Sequence, residues 1–197
     1  MSEKRSFSAW WIGYVIFIVL LIFIGVPLMI KNIYGVEQAF KKTPAGSIEV
    51  KVIPESTVLA AETPGNYYGE RNYLFRRLFN YIRQNKIAMT APVEARIENA
   101  QMKFYVGAQD KTKLLTNEGN VQVSTVPART VASIGIRGAY SHDSFTQAKV
   151  KLEQWLNKNM RYRQTGSAYA VFWDAPFMPW FLKRSEVHIP VEEVMQP

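Results

Sequence analysis

Between Tyr73 and Ile97 the spacing of apolar residues switches from the period of a helix to that of a strand. On a helical wheel Leu74, Phe75, Leu78, Phe79, Tyr81 and Ile82 share one broad arc, while Arg76, Arg77, Asn80, Arg83 and Gln84 fill the other. Beyond it Val93, Ala95 and Ile97 alternate with Glu94, Arg96 and Glu98, and Met102, Phe104 and Val106 alternate with Lys103 and Tyr105. Upstream, Ile48, Val50 and Val52 alternate with Glu49 and Lys51. Period two predicts half-buried strands on either side of an amphipathic helix.

The pattern occurs twice. At an offset of 73 residues Pro54 meets Pro127, Thr57 meets Thr130, Val58 meets Val131, Gly65 meets Gly138 and Tyr67 meets Tyr140. The same offset brings Phe75, Phe79 and Ile82 onto Ala148, Leu152 and Trp155, so the apolar phases of two helices agree without a gap. The second helix takes its arc from Phe145, Ala148, Leu152, Trp155, Leu156 and Met160, with Ser141 or Asp143 placed to cap it. Val121 and Val123, residues 131–136, residues 168–173, and Val187, Ile189 and Val191 supply the strands of this half. A duplicated β-α-β-β unit is expected, an α+β domain in which a curved antiparallel sheet or distorted barrel carries two packed helices. The cleft on its pseudo-twofold axis is the natural ligand site.

Residues 9–30 carry no charge over 22 positions. At helical rise that length spans about 33 Å, enough to cross a bilayer core. Trp10, Trp11 and Tyr14 at one end and Lys31 at the other fit the interfaces, and the stretch is too long for the apolar region of a cleaved signal peptide. The expected organisation is a tail over 1–8, a transmembrane helix over 9–30, a juxtamembrane linker over 31–46 and a ligand-binding domain over 47–197 with halves 47–119 and 120–197. This predicts a single-pass membrane protein, in the plasma or inner membrane if bacterial, with the lipid bilayer as a partner. The short N-terminal tail favours a domain outside the cytoplasm.

Composition narrows the chemistry. With no cysteine there is no disulfide, thiolate metal site or cysteine nucleophile, and two histidines, His142 and His188, are too few for a histidine-rich metal site. The net charge of +8 raises the question of nucleic acid, but from Ser47 onward 19 basic residues are interleaved with 14 acidic ones and no nucleic-acid motif is present. The exception is Arg71–Val93, where Arg71, Arg76, Arg77, Arg83 and Lys86 meet no acid, so the first helix presents a cationic rim beside an aromatic face. An anionic, flat, apolar ligand suits such a face. No catalytic motif is present, and no enzyme is expected.

The segments FRRLFNYI and KIAMTAPV resemble the helix-to-strand signature of the SOUL haem-binding proteins, with Met89-Thr90-Ala91-Pro92 the most specific element. SAYAVFWDAP over Ser167–Pro176 and Arg184-Ser185-Glu186-Val187 are similar to the family's closing strands, so the resemblance covers about residues 48–191. It implies binding, or shuttling, of haem or another tetrapyrrole as a non-covalent cofactor against the first helix. By position it points at Phe75, Arg76, Phe79, Arg83, Lys86 and Met89, the basic groups meeting propionates. The chain departs from the family in its short Gln84-Asn85-Lys86 connection and in having no histidine before His142, so no iron ligand is assigned. His188, alternating with Val187 and Ile189, is expected on a solvated strand face beside Glu186.

A second reading is a gyrase-inhibitor-like effector or multidrug module that takes bulky organic molecules in the cleft between the repeats. The loop Ala175–Lys183, with Phe177, Trp180 and Phe181, is open to three roles: pocket lid, membrane wedge or packed connection.

Overall fold

The computed structural model describes residues 13–15, 17–18 and 36–194. The chain divides into two compact units, Met1–Val36 and Glu37–Pro197. In the first, residues 13–15 and 17–18 are helical. The transmembrane helix expected over 9–30 is not supported: among the described residues no helix is long and apolar enough to cross a membrane. The remainder of that stretch lies outside the described residues. A single-pass location and a bilayer partner, which rested on that helix, lose their support with it.

The second unit runs β1 (Glu37–Gln38), β2 (Ile48–Ile53), β3 (Ser56–Glu62), α1 (Tyr67–Gln84), β4 (Thr90–Ala91), β5 (Val93–Arg96), β6 (Gln101–Tyr105), β7 (Val121–Val126), β8 (Arg129–Arg137), α2 (His142–Lys158), β9 (Tyr162–Gln164), β10 (Tyr169–Phe172) and β11 (Arg184–Glu193). Short 3-10 turns lie at Ala108–Asp110 and Trp180–Leu182. Asn66 starts α1 by accepting the Tyr68 N–H at 2.9 Å, and Ser141 starts α2 by accepting the Ser144 N–H at 3.1 Å. Each cap satisfies a backbone donor that the first helical turn leaves without a partner.

The sheet order is β2-β8-β11-β10-β5-β6-β3-β7, with β9 added to β11. Its end strands β2 and β7 do not pair, so the sheet is open and the expected barrel does not close. The repeat is also longer than expected. The offset of 73 carries residues 48–53 onto 121–126 and residues 56–61 onto 129–134, which makes β2 the counterpart of β7 and β3 that of β8. Each unit is therefore β-β-α-β-β, and each lends its first strand to the other. β2 pairs antiparallel with β8 from Ile48↔Ile134 to Ile53↔Arg129, and β7 pairs with β3 from Val121↔Ala61 to Val126↔Ser56, the same register under that offset. Local periodicity marks a strand but does not say which neighbour it joins.

One face of the sheet carries both helices and the main core, where Leu74, Leu78 and Leu152 are fully buried. Burying each such side chain contributes about 1.5–3 kcal/mol. Tyr81 and Ile82 complete the buried stripe of α1, and Phe145, Ala148, Leu152 and Leu156 that of α2. Met160, expected in the arc of α2, lies beyond the end of the helix and is exposed. The other face holds a smaller cluster of Ile53, Val131, Tyr169, Val171 and Trp173, against which Phe40 and Ala91 pack.

Candidate functional site

The outer flank of α1 keeps an aromatic surface open. Leu74 and Leu78 point into the core, which leaves Phe75 half-buried and Phe79 41% exposed. Their rings lie nearly parallel, 5.7 Å apart and 13° between planes, and Phe75 meets Phe104 of β6 edge-on at 5.5 Å. At 100° per residue Phe75, Phe79, Arg83 and Arg76 fall within about 100° of one another around the helix. Arg76, Arg83 and Lys86 are exposed, and none of them joins an ion pair among the described residues. Arg77 instead stacks on the Tyr73 ring, 4.5 Å from its centroid. The result is an open ledge of two stacked rings bordered by free cations.

The C-terminal end of α1 sets the position of Lys86. The Ile87 N–H donates to the Ile82 carbonyl at 2.8 Å and the Lys86 N–H to the Arg83 carbonyl at 3.4 Å, the paired bonds of a Schellman ending. Lys86 occupies the left-handed position usually given to glycine, at φ 53°. Its carbonyl accepts from Lys113 Nζ at 2.5 Å, and the Tyr81 hydroxyl donates to the Thr116 carbonyl at 2.7 Å, so the loop after β6 is tied along the same end of the helix. Leu114 stands fully exposed on that loop and was not indicated by any periodic pattern. Met89 is half-buried against the main core, and the Thr90 hydroxyl donates to the Tyr105 carbonyl. Of the six residues indicated by sequence, Phe75, Arg76, Phe79 and Arg83 lie along one flank of α1, Lys86 follows its C-terminal end, and Met89 is packed against the main core just before β4.

The pseudo-twofold cleft is filled. Between the helices, among Tyr68, Tyr140, Phe145 and Phe172, only about 10 Å³ remains open. Tyr67 stacks on Phe172 at 5.7 Å and Tyr140 lies 4.5 Å from the same ring. Aromatic side chains from both repeats meet on the axis and close it. A larger groove of about 640 Å³ lies along the strand ends near Glu62, Arg96, Asn99, Gln101 and Gln122, but its walls are polar and offer no aromatic surface.

The sheet face away from the helices carries a buried ionic network. Glu94, 3% exposed, meets Lys103 Nζ at 2.8 Å, Arg129 Nη2 at 2.6 Å and the Tyr105 hydroxyl at 2.8 Å. Glu186, 1% exposed, meets Lys51 Nζ at 2.7 Å and accepts from Trp173 Nε1 at 2.7 Å. Burial pushes the Glu186 carboxyl up, but His188 and the Lys51 ammonium outweigh it and hold the group down to about 2. Burial likewise works against Glu94, and Lys103 with Arg129 brings it below the ordinary carboxylate range.

His188 departs from its expected solvated position. It is wholly buried, with Nδ1 3.2 Å from the Tyr169 hydroxyl and Nε2 2.6 Å from Glu186. Its strand phase is as read, but residues 37–44 cover the face. Both ring nitrogens are engaged, so His188 offers no ligand to iron. His142 is exposed at the start of α2, edge-on to Tyr68 at 5.8 Å. No cluster of three or more potential metal ligands occurs among the described residues. In the 175–183 loop, Phe177, Trp180 and Phe181 are exposed rather than packed.

A family model described as SOUL heme-binding protein matches residues 34–190. No curated protein matches the chain. Among solved structures, the EcmrR C-terminal domain is similar at 22% identity and a TM-score of 0.62, covering 75% of this chain and 98% of that one. EcmrR in a complex with DNA gives 22% identity and a TM-score of 0.61 over 75% of this chain, and the match spans only 58% of the EcmrR chain. A hydrolase from Listeria innocua is similar at 13% identity and a TM-score of 0.50, covering 76% and 94% of the two chains. At such identities these likenesses bear on the fold alone.

Proposed function

The chain belongs to the SOUL haem-binding family, and from that premise we propose that it carries haem or a related tetrapyrrole on the aromatic ledge of α1. Membership supports a tetrapyrrole-binding function in a family of binding proteins. The observation that carries the finer reading is the parallel Phe75–Phe79 pair, with Phe79 open to solvent on the flank that bears Arg76 and Arg83, and Lys86 just past the end of the helix. Phe75 and Phe79 would hold the ring system by apolar contact with Met89 toward its margin, and Arg76, Arg83 and Lys86 would meet the propionates. Exposed ion pairs contribute only about 0–1 kcal/mol each, so most of the affinity comes from the buried ring area. A bound haem would supply the redox chemistry of its iron, while the chain's own residues hold and orient the macrocycle. An open ledge releases its ligand more readily than an enclosed pocket, which favours carriage and hand-over.

The effector-module alternative is less well served. A lipophilic cation needs an available acid, and the two buried acids near the sheet centre, Glu94 and Glu186, are already neutralised by Lys103, Arg129 and Lys51.

The test is a haemin titration of the full-length chain, read in the Soret band. Saturation in the micromolar range is expected, with about tenfold weakening in the Arg76→Ala/Arg83→Ala double variant from two exposed pairs. Haemin dimethyl ester, which lacks free propionates, should not distinguish that variant from the parent chain. The absence of any saturable change would sink the proposal.

A further inference from the structure

The cover on the helix-free face is held the way a bound peptide is held. β1 adds to the edge of β4 in parallel, with Glu37↔Thr90 and Gln38↔Ala91 in register, and the Ala39 N–H donates to the Ala91 carbonyl at 2.8 Å. Phe40 follows, its ring edge-on to Tyr105 at 5.5 Å and to Trp173 at 5.4 Å. The Lys41 carbonyl accepts from Lys51 Nζ at 2.9 Å, and the Thr43 N–H donates to Glu186 Oε1 at 2.7 Å. The Thr43 hydroxyl lies 2.8 Å from Ser133 Oγ. Where the segment leaves the groove, its backbone crosses Gly135 so closely that a Cβ there would lie 2.2 Å from the Pro44 carbonyl oxygen.

Strand addition, one aromatic anchor and main-chain bonds to fixed side chains make up a recognised mode of peptide binding. The floor beneath the segment is mixed. Tyr169, Val171 and Trp173 belong to a small apolar cluster that receives Phe40, while Lys51, Glu186 and His188 are polar and mutually compensated, so that part of the groove accepts water when the segment lifts. The attachment itself is short: two residues of ladder, one half-buried aromatic side chain, and the buried Thr43 with its polar contacts.

We propose that this face is a peptide-binding groove, filled in cis by Glu37–Pro44, that takes in trans an extended segment of the same chemistry: an aromatic side chain followed three residues later by a hydroxyl side chain. The groove lies on the opposite side of the sheet from the α1 ledge, and the inference does not depend on tetrapyrrole binding.

The probe is a fluorescein-labelled peptide, VEQAFKKTPAG, with the sequence of residues 36–46, titrated against the full-length chain carrying Phe40→Ala and read by anisotropy. Saturable binding is expected, at least about tenfold tighter than to the parent chain and than that of the same peptide carrying Phe40→Ala. A variant that melts cooperatively yet binds neither peptide, or binds both equally, overturns the proposal. Hydrogen exchange of the parent chain decides it without any variant. The Ala39 and Thr43 amides should exchange at least about tenfold faster than those of Val187 and Ile189, because the segment opens while the sheet stays closed. Exchange of all four at one common rate would mean that the groove opens only when the whole domain unfolds, and the proposal fails.

Discussion

Glu186 and His188 sit 2.6 Å apart, carboxylate to Nε2, with both side chains sealed from solvent on the sheet face that bears no helix. Each perturbs the other: the histidine hydrogen bond helps keep Glu186 ionised, while burial keeps the imidazole below its ordinary range despite the nearby carboxylate.

Stability should therefore fall on acidification. Glu186 titrates at about 2 when folded against 4.5 as its reference, so its contribution is complete above pH 4.5 and is lost as pH falls toward 2. By linkage that contribution is on the order of 3 kcal/mol. His188 acts in the same direction, because a folded-state value lowered from 6.5 makes the native state resist protonation below that pH. Thermal melts from pH 8 to pH 3 should show Tm declining below about 6.5 and more steeply below about 4.5. Glu186→Gln should flatten the steeper limb, and a parent Tm unchanged between pH 6 and pH 3 would refute the account.

Gly135→Ala should loosen the cover of this face. The added methyl meets the Pro44 carbonyl oxygen at 2.2 Å and the Thr43 carbonyl oxygen at 2.7 Å, backbone atoms that cannot rotate away. A loss of about 1–3 kcal/mol is expected, the range for overpacking. The Ala39 and Thr43 amides should lose exchange protection while the amides of β11 keep theirs. Uniform loss across the domain would point to a different cause.

Lys86→Gly separates stability from binding. A lysine at φ 53° carries a left-handed penalty that glycine escapes, so the variant should be more stable by about 1 kcal/mol, or roughly 2–4 °C in Tm. It also removes one cation from the ledge, and haemin affinity should fall about two- to fivefold. A rise in Tm with unchanged affinity would remove Lys86 from the site.

Phe79→Ala and Leu78→Ala form a matched pair on α1. Leu78 is fully buried, so truncation should cost about 2–5 kcal/mol in chemical denaturation. Phe79 is 41% exposed, and its loss should cost less than about 1.5 kcal/mol while weakening haemin binding about tenfold or more. Equal affinity in the Phe79 variant and the parent would move the ligand off the ledge.

Much of the architecture was legible in order along the chain. The alternation around Ala95, Phe104 and Val187 gave strand phases that hold in the structure, whereas Val52 of β2, expected on the apolar phase, is 64% exposed. The helix phase also slips by one residue, because Leu74, Leu78 and Ile82, and not Phe75 and Phe79, are buried as Ala148, Leu152 and Leu156 are, an offset of 74. The cationic, aromatic flank of α1 was readable for the same reason, since neighbours on one helix face lie three or four residues apart. The filled cleft was not. Tyr68, Tyr140, Phe145 and Phe172 come from both repeats, and their meeting on the axis depends on how the helices approach.

By itself, then, the sequence determined the periods, the duplication with its offset of 73 over the first two strands of each half, and the residue types on each face. Tertiary structure decided which neighbour each strand joins, so that β2 and β7 cross to the opposite repeat and the sheet stays open. It also decided whether a polar face is wet. Glu186 and His188 alternate with Val187 as solvated residues do, yet they are buried because Phe40 and Thr43 lie over them. Alternation depends on the geometry of a single strand, whereas cover depends on a segment more than 140 residues away in the chain.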